Sequence, residues 1–146
     1  MNQRWLDHFV RLVKEKAAMS RDADTKVGSI IISEEDMVEI SSGYNDLARG
    51  VRHTPERNSR PSKYLWSVHS EANAIANAAR LGRSTKGATI IGNLCPCNQC
   101  AALIINAGIT KVICPPVYDH YKYAAEWQNT LDMFQEAEVT VYFEEM

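Results

Sequence analysis

The apolar residues of this chain repeat with two different periods, which predicts both helices and strands. Residues 3–19 place apolar side chains at helical spacing. Residues 27–33 and 37–44 are instead rich in β-branched residues, and the acidic segment 34–36 separates them. The first third of the chain therefore predicts a helix followed by an antiparallel hairpin.

The second half of the chain alternates helical and extended patterns. Helices are predicted over residues 69–81, 97–107 and 119–136, and strands over residues 87–92, 111–114 and 138–143. Strands that are separated by helices usually pair in parallel, with helices on both faces of the sheet. Residues 46–68 lie between the two halves and predict one long irregular loop. The pattern predicts an α/β fold, and the length predicts a single domain over residues 1–146.

Composition and charge exclude several classes of protein. The chain is 45% hydrophobic and 23% charged, which is ordinary for a folded globular protein. It contains no apolar run of the ~20 residues that a membrane span needs and no signal-peptide core, so we expect a cytoplasmic protein without membrane contact. The net charge of −2 predicts no broad positive field for duplex nucleic acid. The four cysteines suit a reducing compartment.

Two short motifs carry the candidate chemistry. They are His69-Ser70-Glu71 and Pro96-Cys97-Asn98-Gln99-Cys100, each at the start of a predicted helix. Zinc prefers nitrogen and sulfur ligands, and a catalytic site uses three of them and leaves a fourth position for water. His69, Cys97 and Cys100 supply such a set, and Glu71 is close enough in sequence to carry protons to and from that water. Together, H-x-E and P-C-x-x-C form the zinc-deaminase signature.

The C-x-x-C pair by itself also fits two arrangements that are not catalytic zinc sites. It suits a structural zinc half-site or a redox pair, although a structural site normally has four protein ligands. Cys95 lies two residues before Cys97 and is the residue most easily mistaken for a ligand. We expect Cys95 and Cys114 to be small buried apolar residues.

The loop at residues 46–68 predicts an anionic ligand. Its cationic or titratable side chains are Arg49, Arg52, His53, Arg57, Arg60 and Lys63. Arginine matches the geometry of phosphate oxygens, and Arg49 is our candidate contact. The alternative is a basic loop that simply faces solvent.

Three further residues are candidate substrate contacts. Asn45 ends the second strand, where its amide can hydrogen-bond a substrate or can stabilise the chain reversal as an Asx-turn. Trp66 can stack on a base or pack in the core. Asn73 lies on the same side of its helix as His69, where it faces either a pocket or solvent.

Five stretches of the chain together match the pattern of a known family. They are Gly43-Tyr44-Asn45, Arg60-Pro61-Ser62-Lys63-Tyr64, His69-Ser70-Glu71-Ala72-Asn73-Ala74-Ile75, Pro96-Cys97-Asn98-Gln99-Cys100-Ala101 and Ile104-Ile105-Asn106-Ala107-Gly108-Ile109. From Thr25 to the last strand, the chain thereby resembles the deoxycytidylate (dCMP) deaminases of the cytidine-deaminase-like superfamily. The resemblance implies a three-layer α/β/α fold with a five-stranded mixed sheet, and Zn²⁺ held at the starts of two adjacent helices. It also implies homo-oligomers, either hexamers or dimers, with dCTP and dTTP as effectors.

The resemblance assigns a role to each motif residue. It implies that His69, Cys97 and Cys100 are zinc ligands, that Glu71 is the proton shuttle and that Asn45 reads the sugar or the base. Two positions depart from the family pattern. Ser70 replaces the usual alanine and can add a hydrogen bond near the metal, and Asp46 replaces a small residue, commonly glycine.

The sequence therefore predicts hydrolysis of dCMP to dUMP and ammonia. A deaminase that acts on another free nucleotide or base is an alternative with the same chemistry. A deaminase that acts on a base in RNA or single-stranded DNA is another, and it would need a basic groove lined with aromatic residues. A non-catalytic, zinc-stabilised nucleotide-binding module is a third alternative, although a purely structural site has no need of Glu71.

Overall fold

The N-terminal part forms one helix and an antiparallel hairpin, as the pattern predicts. The computed structural model describes residues 1–117 and 124–146. Helix α1 (Gln3–Ala17) begins at Asn2, whose side chain accepts a hydrogen bond from the Trp5 backbone N–H at 3.1 Å. Strands β1 (Gly28–Ser33) and β2 (Val38–Tyr44) follow and pair antiparallel.

Residues 46–68 are more ordered than the predicted irregular loop. The segment contains strand β3 (Asp46–Leu47), the one-turn helix α2 (Lys63–Trp66) and strand β4 (Ser67–Val68). Strands β3 and β4 pair antiparallel, so the two ends of the segment lie side by side. The prediction of one unbroken loop was wrong, because pairing between residues about twenty positions apart leaves no local pattern in the sequence.

The second half alternates helices and strands. Its elements are α3 (Ser70–Arg80), β5 (Thr89–Gly92), α4 (Asn98–Asn106), β6 (Lys111–Cys114), α5 (Ala124–Glu136) and β7 (Thr140–Phe143). The part of the predicted last helix over residues 119–123 lies outside the described residues. Five strands form one mixed sheet in the order β2-β1-β5-β6-β7. Strands β5, β6 and β7 are parallel, as expected for strands joined by helices, and β1 pairs antiparallel with β5.

Helices cover both faces of this sheet, which confirms the three-layer prediction. On one face, Phe9 and Val13 of α1 pack against Ile30 and Ile32. On the other face, side chains of α3, α4 and α5 form a second core around Ile31. Neighbouring residues of β1 thus serve opposite cores, because side chains alternate along a strand. No helix within residues 1–117 and 124–146 is long and apolar enough to span a bilayer.

Two glycines allow helices to approach the sheet closely. A Cβ atom on Gly28 would lie 2.5 Å from the Val13 carbonyl oxygen in α1. A Cβ atom on Gly43 would lie 2.5 Å from both the Ser70 carbonyl oxygen and the Ala74 backbone nitrogen in α3. The backbone of α3 therefore rests directly on β2, and this contact sets the position of the residues at the start of α3.

Candidate metal and catalytic site

Two helix N-termini bring the three predicted metal ligands together. His69 immediately precedes α3 and Cys97 immediately precedes α4, while Cys100 lies in the first turn of α4. The His69 Nδ1 atom is 3.5 Å from the Sγ atom of each cysteine. All three ligand atoms lie within 4.8 Å of one another. They form the one group with metal-binding geometry among the described residues.

The spacing and chemistry of this group fit zinc. Tetrahedral zinc with ordinary Zn–N and Zn–S bond lengths places the nitrogen and each sulfur about 3.5 Å apart. The observed separations between the His69 nitrogen and the two sulfurs are 3.5 Å. Because three protein ligands leave one tetrahedral position open, the set matches a catalytic site better than a closed structural one.

The remaining cysteines are not part of the ligand group. The thiol of Cys95 donates a hydrogen bond to the Pro96 carbonyl oxygen at 3.4 Å. Interaction with Cys114 and partial burial both raise the pKa of Cys95, so its thiol stays protonated. Cys114 is 1% exposed and belongs to the core. Burial of Cys114 confirms its prediction, whereas Cys95 is only half-buried.

The two ligand thiols have opposite pKa shifts. Hydrogen bonds from the Cys100 thiol and from His69 lower the pKa of Cys97 to about 4. The Cys97 sulfur also accepts the Cys100 backbone N–H at 3.4 Å, and the N-terminal end of α4 favours negative charge there. The hydrogen bond with Cys97 and burial raise the pKa of Cys100. The pair thus shares a proton, which a divalent cation would displace on binding.

Glu71 lies beside the ligand group in the first turn of α3. Its side chain is 5% exposed, and burial raises the pKa of its carboxyl group. Cys100 and His69 oppose this rise in the pKa, because both lie close to the carboxyl group. A buried carboxyl group with a raised pKa holds a proton more readily than an exposed one, as a proton shuttle requires.

Sequence reasoning missed one residue of this site. The Ser70 hydroxyl donates to Glu71 Oε1 at 3.2 Å, and the Ser29 Oγ atom lies 2.7 Å from Ser70 Oγ. Ser29 is fully buried at 0% exposure. Its signal was present in the sequence, because Ser29 is polar and stands inside the otherwise apolar start of β1 (Gly28–Ser33).

Asn45 is bonded to the protein backbone. Its Oδ1 atom accepts the Val27 N–H at 2.8 Å, and its Nδ2 atom donates to the Thr25 carbonyl at 2.9 Å. The side chain thus ties the end of β2 to the segment before β1, and the residue is 8% exposed. This long-range contact is not the predicted Asx-turn, and it occupies both ends of the amide that was expected to read the substrate.

Asn73 takes part in a regular contact between α3 and the edge strand β2. Three outward carbonyls of β2, at alternate positions, accept hydrogen bonds of 2.7–2.8 Å from side chains of α3 and the segment after it. The pairs are Asn73 to Tyr44, Asn77 to Ser42 and Arg83 to Ile40. These side chains cover a strand edge that would otherwise be open to pairing with another chain. The donor side of the Asn73 amide is therefore used for packing.

Several cations of residues 46–68 are paired within the protein. Lys63 is buried and contacts Asp22 at 3.0 Å and Asp24 at 3.2 Å. Arg60 also contacts Asp24, at 3.5 Å and nearer the surface. Of the basic side chains in the loop that was predicted to bind an anionic ligand, Lys63 and Arg60 therefore have carboxylate partners within the protein.

Asp46 has a structural partner as well. Its carboxylate accepts two hydrogen bonds from Arg21, at 2.8 and 3.2 Å. The aspartate that departs from the family pattern is thus neutralised by an arginine outside the motif.

Trp66 and Arg49 lie in different parts of the molecule. The Arg57 guanidinium lies 3.9 Å from the Trp66 ring centroid, and Trp66 is 41% exposed three residues before His69. Arg49 instead lines a groove of about 300 Å³ together with Arg80 and Arg83. Arg80 ends α3, roughly 15 Å along the helix axis from the metal ligands. The structure does not bring Arg49 to the site.

Comparison with known proteins places these observations in a family. The model of the cytidine and deoxycytidylate deaminase zinc-binding region matches residues 3–115. An uncharacterised deaminase from the luxG 3′ region of Aliivibrio fischeri is 33% identical over 143 residues, covering 97% of this chain and 94% of that protein. Human deoxycytidylate deaminase is 35% identical over 116 residues, covering 75% of this chain and 63% of that protein.

A solved structure has the same fold. It is the dCMP deaminase of the cyanophage S-TIM5 in complex with dCMP and dUMP, with a TM-score of 0.78 and 21% identity. The match covers 100% of this chain and 99% of that chain. At this identity, the similarity shows the shared fold.

Proposed function

Because the chain belongs to the cytidine and deoxycytidylate deaminase zinc-binding family, we propose that it hydrolyses dCMP to dUMP and ammonia. Membership makes the chain a hydrolytic deaminase with Zn²⁺ as its cofactor. The identity of the nucleotide is the proposed part. Its support is the human relative named deoxycytidylate deaminase, of which the matched region spans 63%.

One observation carries the proposal: three zinc-type ligands at tetrahedral spacing lie beside a buried carboxyl group. We assign His69, Cys97 and Cys100 as the residues that hold the metal. When bound, zinc supplies a Lewis acid that makes water nucleophilic at neutral pH. A site without catalysis would not need the carboxyl of Glu71 beside Cys100, because that burial costs free energy without adding a ligand.

We assign the proton transfers to Glu71. Its carboxylate takes a proton from the water molecule whose oxygen bonds to C4 of the pyrimidine, and it passes this proton to N3. It then transfers the second proton of that oxygen to the exocyclic amine, which leaves as ammonia when the C4–N bond breaks. The raised pKa of Glu71 supports this role, because a carboxyl that is too acidic would not return the proton.

Among the predicted substrate contacts, we favour Trp66, assisted by Arg57. Trp66 keeps an exposed surface three residues before His69, and Arg57 adds a cation over its ring. Asn45 and Asn73 hydrogen-bond the backbone, and Arg49 lies at the groove near the end of α3. An aromatic ring with an adjacent arginine suits a nucleotide, which offers a base to stack and a phosphate to pair.

Oligomerisation, effector binding and location belong to the same proposal. The family resemblance supports a hexamer or a dimer and a response to dCTP or dTTP. The four unbridged cysteines support a reducing, cytoplasmic environment. Light scattering of the purified protein, with and without each triphosphate, measures the oligomeric state and its response.

Ammonia release by the zinc-loaded protein tests the proposed reaction. dCMP, deoxycytidine, CMP, dCTP and dAMP are offered in parallel, and the Glu71→Ala variant is the control. We expect preference for dCMP, and we expect Glu71→Ala to retain zinc while losing turnover. Equal activity on deoxycytidine would exclude a phosphate contact, and substantial activity of Glu71→Ala would exclude the assigned role of Glu71.

A further inference from the structure

We propose that Ser70 and Ser29 are positioning residues, which hold the carboxyl group of Glu71 in the orientation that proton transfer requires. This inference rests on the proposed function, because it assumes that Glu71 moves protons. It goes further in assigning a role to two hydroxyl groups.

The three side chains form a buried hydrogen-bonded row. Ser29 Oγ lies 2.7 Å from Ser70 Oγ, which lies 3.2 Å from Glu71 Oε1. Their exposures are 0%, 1% and 5%, so solvent does not replace these bonds. The row joins a central strand, β1, to the carboxyl group, and the position of the strand is set by pairing with β2 and β5.

The number of hydroxyl hydrogens determines which group donates each hydrogen bond in the row. Ser70 has one hydroxyl hydrogen, and while Glu71 is ionised this hydrogen is donated to Oε1. The bond between the two serines is then donated by Ser29. Each hydroxyl can also accept, so the row can reverse when Glu71 carries a proton. An alanine at position 70 would leave Oε1 without this donor.

The position of the row explains how it acts on the reaction. One oxygen of Glu71, Oε1, accepts the hydrogen bond from Ser70. A carboxylate bonded by a buried hydroxyl group has less freedom to rotate away from the ligand group. Such fixing of a reacting group by a neighbouring hydrogen bond lowers the barrier without contact with the substrate.

A second buried serine, which lies on β2 and bonds the same helix α3, provides a matched control. Ser41 of β2 donates to the Ala74 carbonyl in α3 at 2.7 Å and is 8% exposed. Ser41→Ala removes a hydroxyl between the sheet and α3, as Ser70→Ala does, but it leaves the contacts of Glu71 intact. A purely structural role for Ser70 would therefore give both variants the same kinetics.

The test compares Ser70→Ala, Ser29→Ala and Ser41→Ala as zinc-loaded proteins. Steady-state kinetics with dCMP, zinc content, thermal midpoint and crystal structures are measured for each. We expect Ser70→Ala to lower kcat about 10- to 100-fold with KM changed less than about 3-fold and zinc content unchanged. Ser29→Ala should show a smaller loss of the same kind, and Ser41→Ala should keep the kcat of the parent. The crystal structure of Ser70→Ala should show the Glu71 carboxyl in a different or mixed orientation.

Two results would overturn the inference. One is a kcat for Ser70→Ala equal to that of Ser41→Ala, and the other is an unchanged Glu71 orientation in the Ser70→Ala crystal structure. If Ser70→Ala does not fold, the same criteria apply to Ser29→Ala. Absence of ammonia release by the parent protein would instead reject the proposed function, and the Glu71 orientation would still decide the role of the serines.

Discussion

The metal site and the basic segment at residues 46–68 differ in how far the sequence predicted the contacts of their side chains. The metal site comes from two short motifs at helix starts, and the three predicted ligands lie within 4.8 Å of one another. The basic segment was predicted to bind an anionic ligand, with a loop that simply faces solvent as the alternative, yet Lys63 is buried against Asp22, which is 41 residues away in the chain. Asp46 is likewise paired with Arg21.

The difference shows which sequence patterns also predict where a side chain lies. A ligand next to a helix N-terminus has a defined direction, because the capping residue and first turn have fixed dihedral angles. A cation in an irregular segment has no such constraint, and any buried carboxylate nearby can pair with it. Composition of a loop therefore indicates charge, while a motif at a helix start also indicates position.

The largest expected effect tests the metal site. Cys100→Ser should lose stoichiometric zinc and reduce ammonia release by at least about 1000-fold, because one of three ligands and the Lewis acid are lost. Atomic absorption and an ammonia assay measure the two losses. Cys95→Ala is the control and should keep zinc, since the Cys95 thiol donates to the Pro96 carbonyl and Cys95 is outside the group His69, Cys97 and Cys100. Loss of zinc in the control would make Cys95 a ligand.

The next effect tests the buried pair of the basic segment. Lys63→Met leaves the buried carboxylate of Asp22 without its cation, and we expect it to lower the free energy of unfolding by about 3–5 kcal/mol. Arg60→Ala removes a pair whose side chains are 55% and 38% exposed. It should cost less than about 1 kcal/mol. Denaturant unfolding measures both values. Equal losses would show that burial does not distinguish the two cations.

Substitutions at two glycines compare α3, the helix that carries Glu71, with α1 on the opposite face of the sheet. Gly43→Ala forces α3 away from β2, and Gly28→Ala forces α1 away from β1. Each should lower the free energy of unfolding by about 1–3 kcal/mol. Only Gly43→Ala should also lower kcat, by about 100-fold, because a small displacement of a reacting group is costly. A matching kcat loss in Gly28→Ala would mean that α3 is not specifically responsible.

The pH dependence of stability tests whether the carboxylate of Asp22 stabilises the folded protein. Burial alone would raise the pKa of Asp22, but hydrogen bonds from the Thr25 and Asp24 backbones and from Lys63 outweigh it, so the pKa lies below its ordinary value. Below about pH 4 the unfolded chain takes up a proton that the folded protein resists. Stability should therefore be complete above that pH and fall as the pH drops toward the lowered pKa.

The variant Asp22→Asn tests this acid dependence. Unfolding free energies measured between pH 6 and pH 3 should fall less steeply than those of the parent, because the proton uptake at Asp22 is gone. An unchanged slope would assign the acid sensitivity to other carboxylates.

The smallest expected effect is that of Arg57, the cation of the basic segment whose guanidinium lies over the Trp66 ring. Arg57→Ala should raise KM for dCMP about 10-fold with little change for deoxycytidine, because the lost charge would contact only the phosphate. Arg49→Ala is the control and should leave both KM values unchanged, since Arg49 lies at the groove with Arg80 and Arg83. Equal effects on the nucleotide and the nucleoside would remove the phosphate role of Arg57.

The chemistry and the element order could be predicted from the sequence. The apolar periods predicted each major helix and strand within the described residues, and helix–strand alternation predicted the parallel pairing of β5, β6 and β7. The motifs brought His69, Cys97 and Cys100 together because ligands at helix starts have local geometry. These features depend on neighbours in sequence, so local patterns are sufficient to indicate them.

Only the tertiary structure decided which polar side chains were free. Asn45 and Asn73 were expected at a substrate, and both bond backbone groups of other elements. The sequence shows Ser29 only as a polar residue at the apolar start of β1, and in the fold it lies at the end of a buried row that reaches Glu71. A buried polar group bonds whichever partner the fold brings within reach, and that partner stands far away in the chain. The sequence by itself determined which residues could hold a metal, while the tertiary packing determined which side chains lie against Glu71.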